Sequence, residues 1–263
     1  MGYINNVTGY RGDILENRSI IRKNNFALIE PDGLVKNVIP GFEDCDITIL
    51  GSPKLGATFV DYVITINEHG KNQQGWGAAG IESILYLFDG ELEVENEDET
   101  ATITAGGYIY TRPGGVLRFM NSSGNVAHGF MYKRRYQAIQ GAEPHSVVGN
   151  VNDIDWTAYE GMEDVLVKDL LPSATDMGFD MNIHILSFKP GAYHGYVETH
   201  YQEHGAFIYS GEGMYNLDNE WMPVKKGDYI FMASYCLQAG YGVGRSDDFA
   251  YIYSKDCNRD VEL

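Results

Sequence analysis

The chain has 263 residues, enough for one large domain or two modest domains with proper cores. Its formal net charge of −18 argues against nucleic acid as a partner and is explained by an acidic, solvated surface. Apolar residues make up 44% of the chain but never form the run of about 18 that a membrane span needs, so we expect no membrane segment.

The N-terminal residues and the cysteines favour a cytoplasmic protein. The first residues lack the basic and apolar regions of a signal peptide. Cys45, Cys236 and Cys257 are odd in number and far apart, which favours reduced thiols over a disulfide framework. Residues 1–25 are polar with weak periodicity, and we interpret them as an arm that packs on the body of the protein or on a neighbouring subunit.

Short apolar runs separated by turn residues follow the arm. Residues 26–29 and 34–39 are each followed by proline and glycine, and residues 57–66 are rich in β-branched and aromatic side chains. Closely spaced runs of this kind predict an all-β sandwich or barrel. Helical periodicity is rare. Its best candidate is a short helix within residues 156–171, where we also place the linker between two domains.

A carboxylate and two histidines stand close together between Gly191 and Gly211: Glu198, His200 and His204. Glu198 and His200 are two apart, so on a strand they share a face, and His204 returns to that face if the strand is continuous. Such a set can bind a divalent metal. The alternative is a solvated strand face on which the two histidines are merely hydrogen-bonded.

The spacing G-x6-E-x-H-x3-H-x6-G, followed by G-x10-Q ending at Gln238, resembles the two motifs of the cupin family. Glu198 stands in the place of the first cupin histidine, His204 in the place of the cupin glutamate, and Gln238 in the place of the last histidine. The resemblance implies a ligand set of two nitrogens and two oxygens without thiolate. Such a set suits Mn(II), and leaves Fe(II) or another divalent ion open.

The chain also carries an internal repeat. Gly90 and Gly211 close similar apolar runs, and Gly107 and Gly227 open similar ones, at offsets of 121 (211 − 90) and 120 (227 − 107). We therefore predict a bicupin, two tandem jelly-roll barrels of roughly six to eight strands each. Residues 1–155 form the arm and first barrel, and residues 156–263 form the second. Because bicupins commonly assemble, we expect a homo-oligomer.

The repeat predicts that only the second barrel binds metal. The positions equivalent to the four candidate ligands are Gly77, Ala79, Ser83 and the neighbourhood of Arg118. None of these side chains suits a metal, so we expect the first barrel to serve structure, assembly or the wall of a site. Two further polar residues of the first half, Glu82 and His128, are best explained by structural roles.

Tyrosines and a lysine of the second half are expected around the rim of the site. Strand alternation in Y-I-Y-S-K puts Tyr251, Tyr253 and Lys255 on one face, and Tyr215 comes from the strand after Gly211. Two interpretations of Lys255 stay open. It is either a surface lysine with its charge in solvent, or a cation that pairs with an anionic substrate or moves a proton.

Three segments resemble the (S)-ureidoglycine aminohydrolases, a bicupin family of allantoin degradation: residues 198–232, the tail Y-I-Y-S-K-D-C-N-R-D and the opening M-G-Y-I-N-N-V-T-G-Y-R. The resemblance implies manganese-dependent conversion of (S)-ureidoglycine and water to (S)-ureidoglycolate and ammonia. The implied metal ligands are Glu198, His200, His204 and Gln238, and the implied substrate contacts are Tyr215, Tyr251, Lys255 and Gln238. Lys255, Tyr251 and Glu198 are the implied catalytic residues.

Two other classes of function stay open on the site residues alone. One is another metal-dependent cupin enzyme, such as a dioxygenase, a decarboxylase or an isomerase. The other is a bicupin that binds a small ligand without catalysis. Cupins host many functions, so the fold by itself does not separate these alternatives.

Overall fold

The computed structural model describes residues 2–3 and 12–261, and their regular structure is almost entirely β. The strands are β1 (Gly2–Tyr3), β2 (Ile20–Arg22), β3 (Phe26–Ile29), β4 (Asn37–Val38), β5 (Glu43–Ile49), β6 (Phe59–Trp76), β7 (Ile81–Asp89), β8 (Glu91–Glu95), β9 (Thr100–Thr104), β10 (Gly107–Thr111), β11 (Leu117–Met120), β12 (Ala127–Arg135), β13 (Val147–Asn150), β14 (Thr157–Tyr159), β15 (Met162–Asp169), β16 (Met181–Phe188), β17 (His204–Ser210), β18 (Glu212–Leu217), β19 (Glu220–Lys225), β20 (Tyr229–Met232), β21 (Gln238–Gly242) and β22 (Phe249–Asp256). Single 3-10 turns lie at Ile14–Glu16, Pro31–Gly33 and Val151–Asp153. The all-β prediction is confirmed.

The strands form two compact units. The first contains Met1–Leu15, Asp32–Pro53 and Thr58–Asp153, and the second contains Glu16–Pro31, Lys54–Ala57 and Ile154–Leu263. The change from one unit to the other near residue 153 lies close to the predicted boundary at 155. Residues 16–31 and 54–57 were predicted to belong to the arm and first barrel, whereas in the structure they pack with the second unit.

Strand pairing explains why the arm residues join the second unit. Strand β3 adds to the edge of β20, with Ile29 opposite Tyr229, and all four β3 side chains are buried. Arg18 donates from Nη2 to both carboxylate oxygens of Asp228 at 2.8 Å and from Nε to Glu30 at 3.1 Å. Apolar burial of β3 and this partly buried ion pair fix the segment. Strand β2, which belongs to the predicted arm, pairs with β3, so part of the arm is a strand of the body. The arm residues 1 and 4–11 lie outside the described residues.

The first unit is built on one sheet. Its path is β1-β4-β5-β6-β12-β7-β10-β13, with β11 branching from β6 and continuing to β8 and β9. The side chains that fill its core are apolar, and the most deeply buried include Ile47, Ile66, Leu85, Leu87, Ile109, Leu117, Ala127 and Met131.

The second unit combines a sheet of path β14-β15-β16-β22-β17-β20-β3-β2 with a three-stranded sheet, β19-β18-β21. Its core is apolar around Phe188, Ile208 and Phe249. The same unit also buries polar side chains, among them His194, His204 and Gln238. Buried polar groups need partners, so a site is expected where they lie.

The two units repeat the same turn geometry. Gly90 separates β7 from β8 at φ +87°, and Gly211 separates β17 from β18 at φ +66°. The amide of Gly106 donates to the Leu87 carbonyl at 2.8 Å, and the amide of Gly227 donates to the Ile208 carbonyl at 2.7 Å. Donors and acceptors are both 121 residues apart (227 − 106 and 208 − 87), in agreement with the predicted duplication.

The predicted helix within residues 156–171 is wrong. This stretch forms the hairpin of β14 and β15, in which Tyr159 pairs with Met162 across the two-residue turn Glu160-Gly161. Both turn residues have positive φ, 49° and 80°, as the tightest hairpin turns require. The β-branched residues Val165 and Val167 favour the extended chain, and this local preference outweighs the weak helical spacing.

The structure bears on the cysteines and on membrane-spanning helices. Cys45, Cys236 and Cys257 are all free thiols. No helix within the described residues is long and apolar enough to cross a membrane.

The Gly211 turn generates a test of the fold. A Cβ at Gly211 would lie 2.5 Å from the Asp248 carbonyl oxygen, whereas one at Gly227 would meet no atom within 4 Å. Both glycines have positive φ, so Gly227→Ala carries the left-handed backbone cost of roughly 1–2 kcal/mol without a clash. We expect Gly211→Ala to lower the free energy of unfolding by at least about 1 kcal/mol more than Gly227→Ala, measured by chemical denaturation. Equal losses would contradict the close approach.

Candidate metal centre and active site

The four predicted ligands come together in the second unit. Glu198 and Gln238 form a backbone bridge, in which the Glu198 amide donates to the Gln238 carbonyl at 2.8 Å and the Gln238 amide donates back at 2.9 Å. His204 is the first residue of β17 and is buried. His200 lies in the connecting loop, where its carbonyl accepts the Tyr235 amide at 2.7 Å. Residues 198–203 therefore do not form the continuous strand on which the shared face was conditional, yet the side chains still converge.

The side-chain atoms meet around His200. Its Nε2 lies 3.3 Å from His204 Nε2, 2.9 Å from Gln238 Nε2 and 3.7 Å from Glu198 Oε2. Two ligands about 2.1 Å from one ion and at right angles are about 3 Å apart, so these separations suit neighbouring ligands. The amide orientation of Gln238 is set by its hydrogen-bond network, and turning it brings Oε1 to the position of Nε2.

Backbone carbonyls fix the tautomers of both histidines. His204 Nδ1 donates to the Ser254 carbonyl at 2.8 Å, and His200 Nδ1 donates to the Gln202 carbonyl at 3.0 Å. With the proton held at Nδ1, each neutral ring presents the lone pair of Nε2 to the other at 3.3 Å. Two facing lone pairs repel unless a proton or a cation lies between them. Carbonyl-anchored imidazoles are also the usual arrangement of histidine ligands.

Burial and neighbours keep the site in its ligand form. Burial, followed by the neighbouring His200 and Lys255, holds the pKa of His204 well below its usual value. Burial opposes ionisation of Glu198, but the neighbouring His200 and the hydrogen bond from the Tyr159 hydroxyl outweigh it and lower the pKa of Glu198 to about 2. At neutral pH the site therefore offers a carboxylate and a neutral His204.

The donor set fits a hard divalent ion, although it is not closed. Among the described residues, no three His, Cys, Asp or Glu side chains are grouped closely enough to hold a metal ion as they stand. Two features explain this: the fourth donor is the amide Gln238, and Glu198 Oε1 accepts the Tyr159 hydroxyl at 2.6 Å. Small rotations of Glu198 and Gln238 would complete the set of two nitrogens and two oxygens.

The predicted rim residues line the same enclosed space. Tyr215, Tyr251, Tyr253 and Lys255 surround it together with Glu198, His204 and Gln238. The hydroxyls of Tyr215 and Tyr251 are 3.4 Å apart, and burial raises the pKa of both phenols, so both stay protonated. Lys255 is partly buried and faces this space, as strand alternation predicted. The roles of these residues in binding and catalysis stay predictions.

Sequence reasoning missed two residues of the site. Tyr159 lines it and binds Glu198, but it lies in the hairpin that was mistaken for a helix. His194 also lines it; its Nδ1 accepts the Gly240 amide at 2.8 Å, which leaves Nε2–H as a buried donor with no acceptor among the described residues. The spacing of His194, two and four residues before Tyr196 and Glu198, was an available signal.

The polar residues singled out in the first unit do not form a comparable set. Glu82 is buried, where Oε2 accepts the Tyr110 hydroxyl at 2.5 Å. His128 lies on the surface beside Asp89 at 2.8 Å, and Arg118 lies near Glu95 at 3.5 Å. Ser83 is buried in β7, at the position equivalent to the predicted ligand His204 of the second unit.

The architecture is of the cupin type. A cupin 2 conserved barrel domain protein from Leptotrichia buccalis aligns at a TM-score of 0.55 and 14% identity, over 83% of this chain and 92% of that one, which supports the fold alone. Protein Ylba from Escherichia coli aligns at a TM-score of 0.85 and 55% identity, over 97% of this chain and all of that one. No family model matches the sequence.

Full-length sequence similarity narrows this class to one family. The chain is 59% identical over 263 residues to the (S)-ureidoglycine aminohydrolase of Escherichia coli (strain K12), and the match covers 100% of both chains. The chain belongs to the (S)-ureidoglycine aminohydrolase family, and it is therefore an enzyme of the hydrolase class. The family resemblance expected from the sequence is confirmed.

The Tyr159–Glu198 hydrogen bond generates a pH-dependent prediction. The folded pKa of Glu198 is depressed, so its contribution to stability is present above the ordinary glutamate pKa of about 4.3 and is lost as the pH falls toward about 2. We expect Tyr159→Phe to lower the free energy of unfolding of metal-free protein by about 1–3 kcal/mol at neutral pH. The loss should shrink as the pH falls through this interval.

Chemical denaturation over a pH series measures this difference, and Tyr193→Phe, at an exposed tyrosine, is the control. A loss of the same size at every pH would contradict the assignment, because the hydroxyl would then act through packing and not through the carboxylate charge.

Proposed function

We propose that the protein hydrolyses (S)-ureidoglycine to (S)-ureidoglycolate and ammonia, with Mn(II) held by Glu198, His200, His204 and Gln238. The observation that carries the proposal is the convergence of these four side chains in a chain that matches a curated (S)-ureidoglycine aminohydrolase over its full length. The reaction replaces the amine on a carbon that also bears a ureido nitrogen and a carboxylate.

The residues of the site fit the ion by their protonation states. His200 and His204 would supply Nε2, Glu198 a carboxylate oxygen and Gln238 its amide oxygen. When bound, a divalent ion supplies a Lewis acid that polarises an oxygen ligand and eases the deprotonation of water. Four protein donors leave two positions of an octahedron for substrate or water.

Lys255 is the residue best placed to handle charge. It lies at the same enclosed space as Glu198 and His204, and its positive charge helps to keep the pKa of both groups low. We assign it to pair with the substrate carboxylate or to deliver the proton that the departing amine needs. Tyr251 and Tyr215 stay protonated and are assigned to hydrogen bonds with the ureido group.

The substrate is expected to approach from a neighbouring cleft. The enclosed space beside Glu198 has a volume of about 10 Å³, close to that of one water-sized sphere. A cleft of about 690 Å³, walled by Tyr193, Tyr196 and Trp221, shares His194 with it. His194 therefore lies where the cleft meets the enclosed space, and we assign its buried Nε2–H to donate a hydrogen bond to the incoming substrate.

The cytoplasmic location and homo-oligomeric state remain part of the proposal. The free thiols are compatible with a reducing compartment.

The central experiment follows ammonia release and product handedness together. Metal-stripped protein is reloaded with Mn(II) and given ureidoglycine generated in place from allantoate. We expect manganese-dependent formation of (S)-ureidoglycolate alone. The carbon also loses ammonia without an enzyme, so handedness is the diagnostic signal. Racemic product at the uncatalysed rate would overturn the proposal, and oxygen consumption would then test for a dioxygenase.

Lys255 has a separate test. Lys255→Ala should keep the bound metal but lose at least about 100-fold in kcat, the usual scale of a positioned acid or base. Lys226→Ala removes a surface lysine of the same unit and should behave like the wild type. Wild-type kcat in Lys255→Ala, with metal content unchanged, would show that Lys255 is structural.

A further inference from the structure

The first unit contains a cavity of about 450 Å³ whose lining includes three cationic residues, Lys133, Arg134 and Arg135. Its apolar walls include Phe59, Val60, Trp76 and Ile81. Lys133, from β12, also lines it. A mostly apolar cavity of this size with a few polar groups is typical of small-molecule sites.

The cavity occupies the place in the first unit that the candidate metal centre occupies in the second. In the first unit Lys133 pairs with Ser83 across β12 and β7. In the second unit, Tyr253 of β22 pairs with Ala206 of β17. Because the two strands are antiparallel, Lys255, two residues further along β22, lies opposite His204, two residues back along β17. Ser83 and His204 are 121 residues apart (204 − 83), the offset of the repeated turns. Lys133 is thus the counterpart of Lys255.

The metal ligands are missing at this place, but the cation is retained. Gly77, which lines the cavity, is 121 residues before Glu198 (198 − 77). Neither Gly77 nor Ser83 offers a carboxylate or an imidazole. Compared with the site of the second unit, this cavity therefore keeps the lysine but not the candidate metal ligands. It could pair with an anion but could not bind a metal in the same way.

Lys133 lacks a counter-ion of its own. Its Nζ lies 5.4 Å from the ring centre of Trp76 and 5.7 Å from that of Tyr62, and no carboxylate pairs with it among residues 12–261. Burial lowers the pKa of Lys133, and two aromatic faces offset only part of that cost. The buried indole nitrogen of Trp76 also has no acceptor among the described residues. Unpaired donors beside an open cavity are typical of a ligand site.

We propose that the first unit binds a small organic monocarboxylate, whose carboxylate pairs with Lys133 and whose apolar body packs against Trp76, Phe59 and Ile81. The site is separate from the proposed catalytic centre and uses no metal. Neutral molecules of the same shape would leave Lys133 unpaired and should bind far more weakly.

Trp76 provides a local reporter of occupancy. Replacing the two tryptophans of the second unit, in Trp156→Phe/Trp221→Phe protein, leaves Trp76 as the remaining tryptophan of the chain. Benzoate is the probe and benzamide its neutral counterpart. We expect benzoate to change the Trp76 emission saturably, with Kd raised at least about tenfold in Lys133→Met. Lys71→Met, at a lysine of the same unit that pairs with Glu43 at 3.3 Å, should not change it.

Lys133→Arg, which keeps the charge, should retain most of the affinity. Benzoate should also raise the melting temperature of the reporter protein, and not that of Lys133→Met. If benzoate gives no saturable change, if benzamide gives an equal one, or if Lys133→Met binds as well as its parent, the proposal is overturned. The comparison of benzoate with benzamide uses the reporter protein with Lys133 intact. It therefore tests the need for a carboxylate even if Lys133→Met fails to fold.

Discussion

The backbone bridge between Glu198 and Gln238 is the constraint on which the site depends. Reciprocal hydrogen bonds of 2.8 Å and 2.9 Å join a loop before β17 to the start of β21. Directly opposed residues on paired chains present their side chains to the same face, so the bridge brings the carboxylate and the amide together. The same segment is also held against β21 by the Tyr193–Tyr241 bridge and by the His194 amide, which donates to the Gly240 carbonyl at 2.9 Å.

Carbonyl groups then decide what the histidines can do. Ser254 and Gln202 hold the Nδ1 protons of His204 and His200, and the two Nε2 atoms lie 3.3 Å apart. Burial disfavours charge on His204 and on the surrounding phenols, while hydrogen bonds keep Glu198 ionised. At neutral pH His204 is therefore neutral, the tyrosine hydroxyls are protonated and Glu198 is a carboxylate. A neutral imidazole and an ionised carboxylate are the forms in which these side chains bind a divalent ion.

The parts of this account that the sequence could predict are those with a strong local signal. Repeated glycine turns indicated the two barrels, and the alternation of Tyr251, Tyr253 and Lys255 indicated one face of β22. The predicted helix within residues 156–171 was wrong because the spacing of apolar residues does not reveal the two-residue turn at Glu160 and Gly161 that makes this stretch a hairpin. The place of the arm could not be assigned. Its strand β2 joins the body through β3, whose pairing with β20 joins residues about 200 positions apart, and no local pattern indicates such a contact.

The central claim is that the second unit alone forms one metal site with two histidine nitrogens. Titration of metal-stripped protein with Mn(II), followed by electron paramagnetic resonance, measures both the stoichiometry and the nitrogens near the ion. The account predicts one ion per chain with two imidazole ligands. His204→Ala should lose this binding, and His128→Ala, at a surface histidine of the first unit, should keep it. Absence of tight binding in the wild type, or retention of the same signal in His204→Ala, would contradict it.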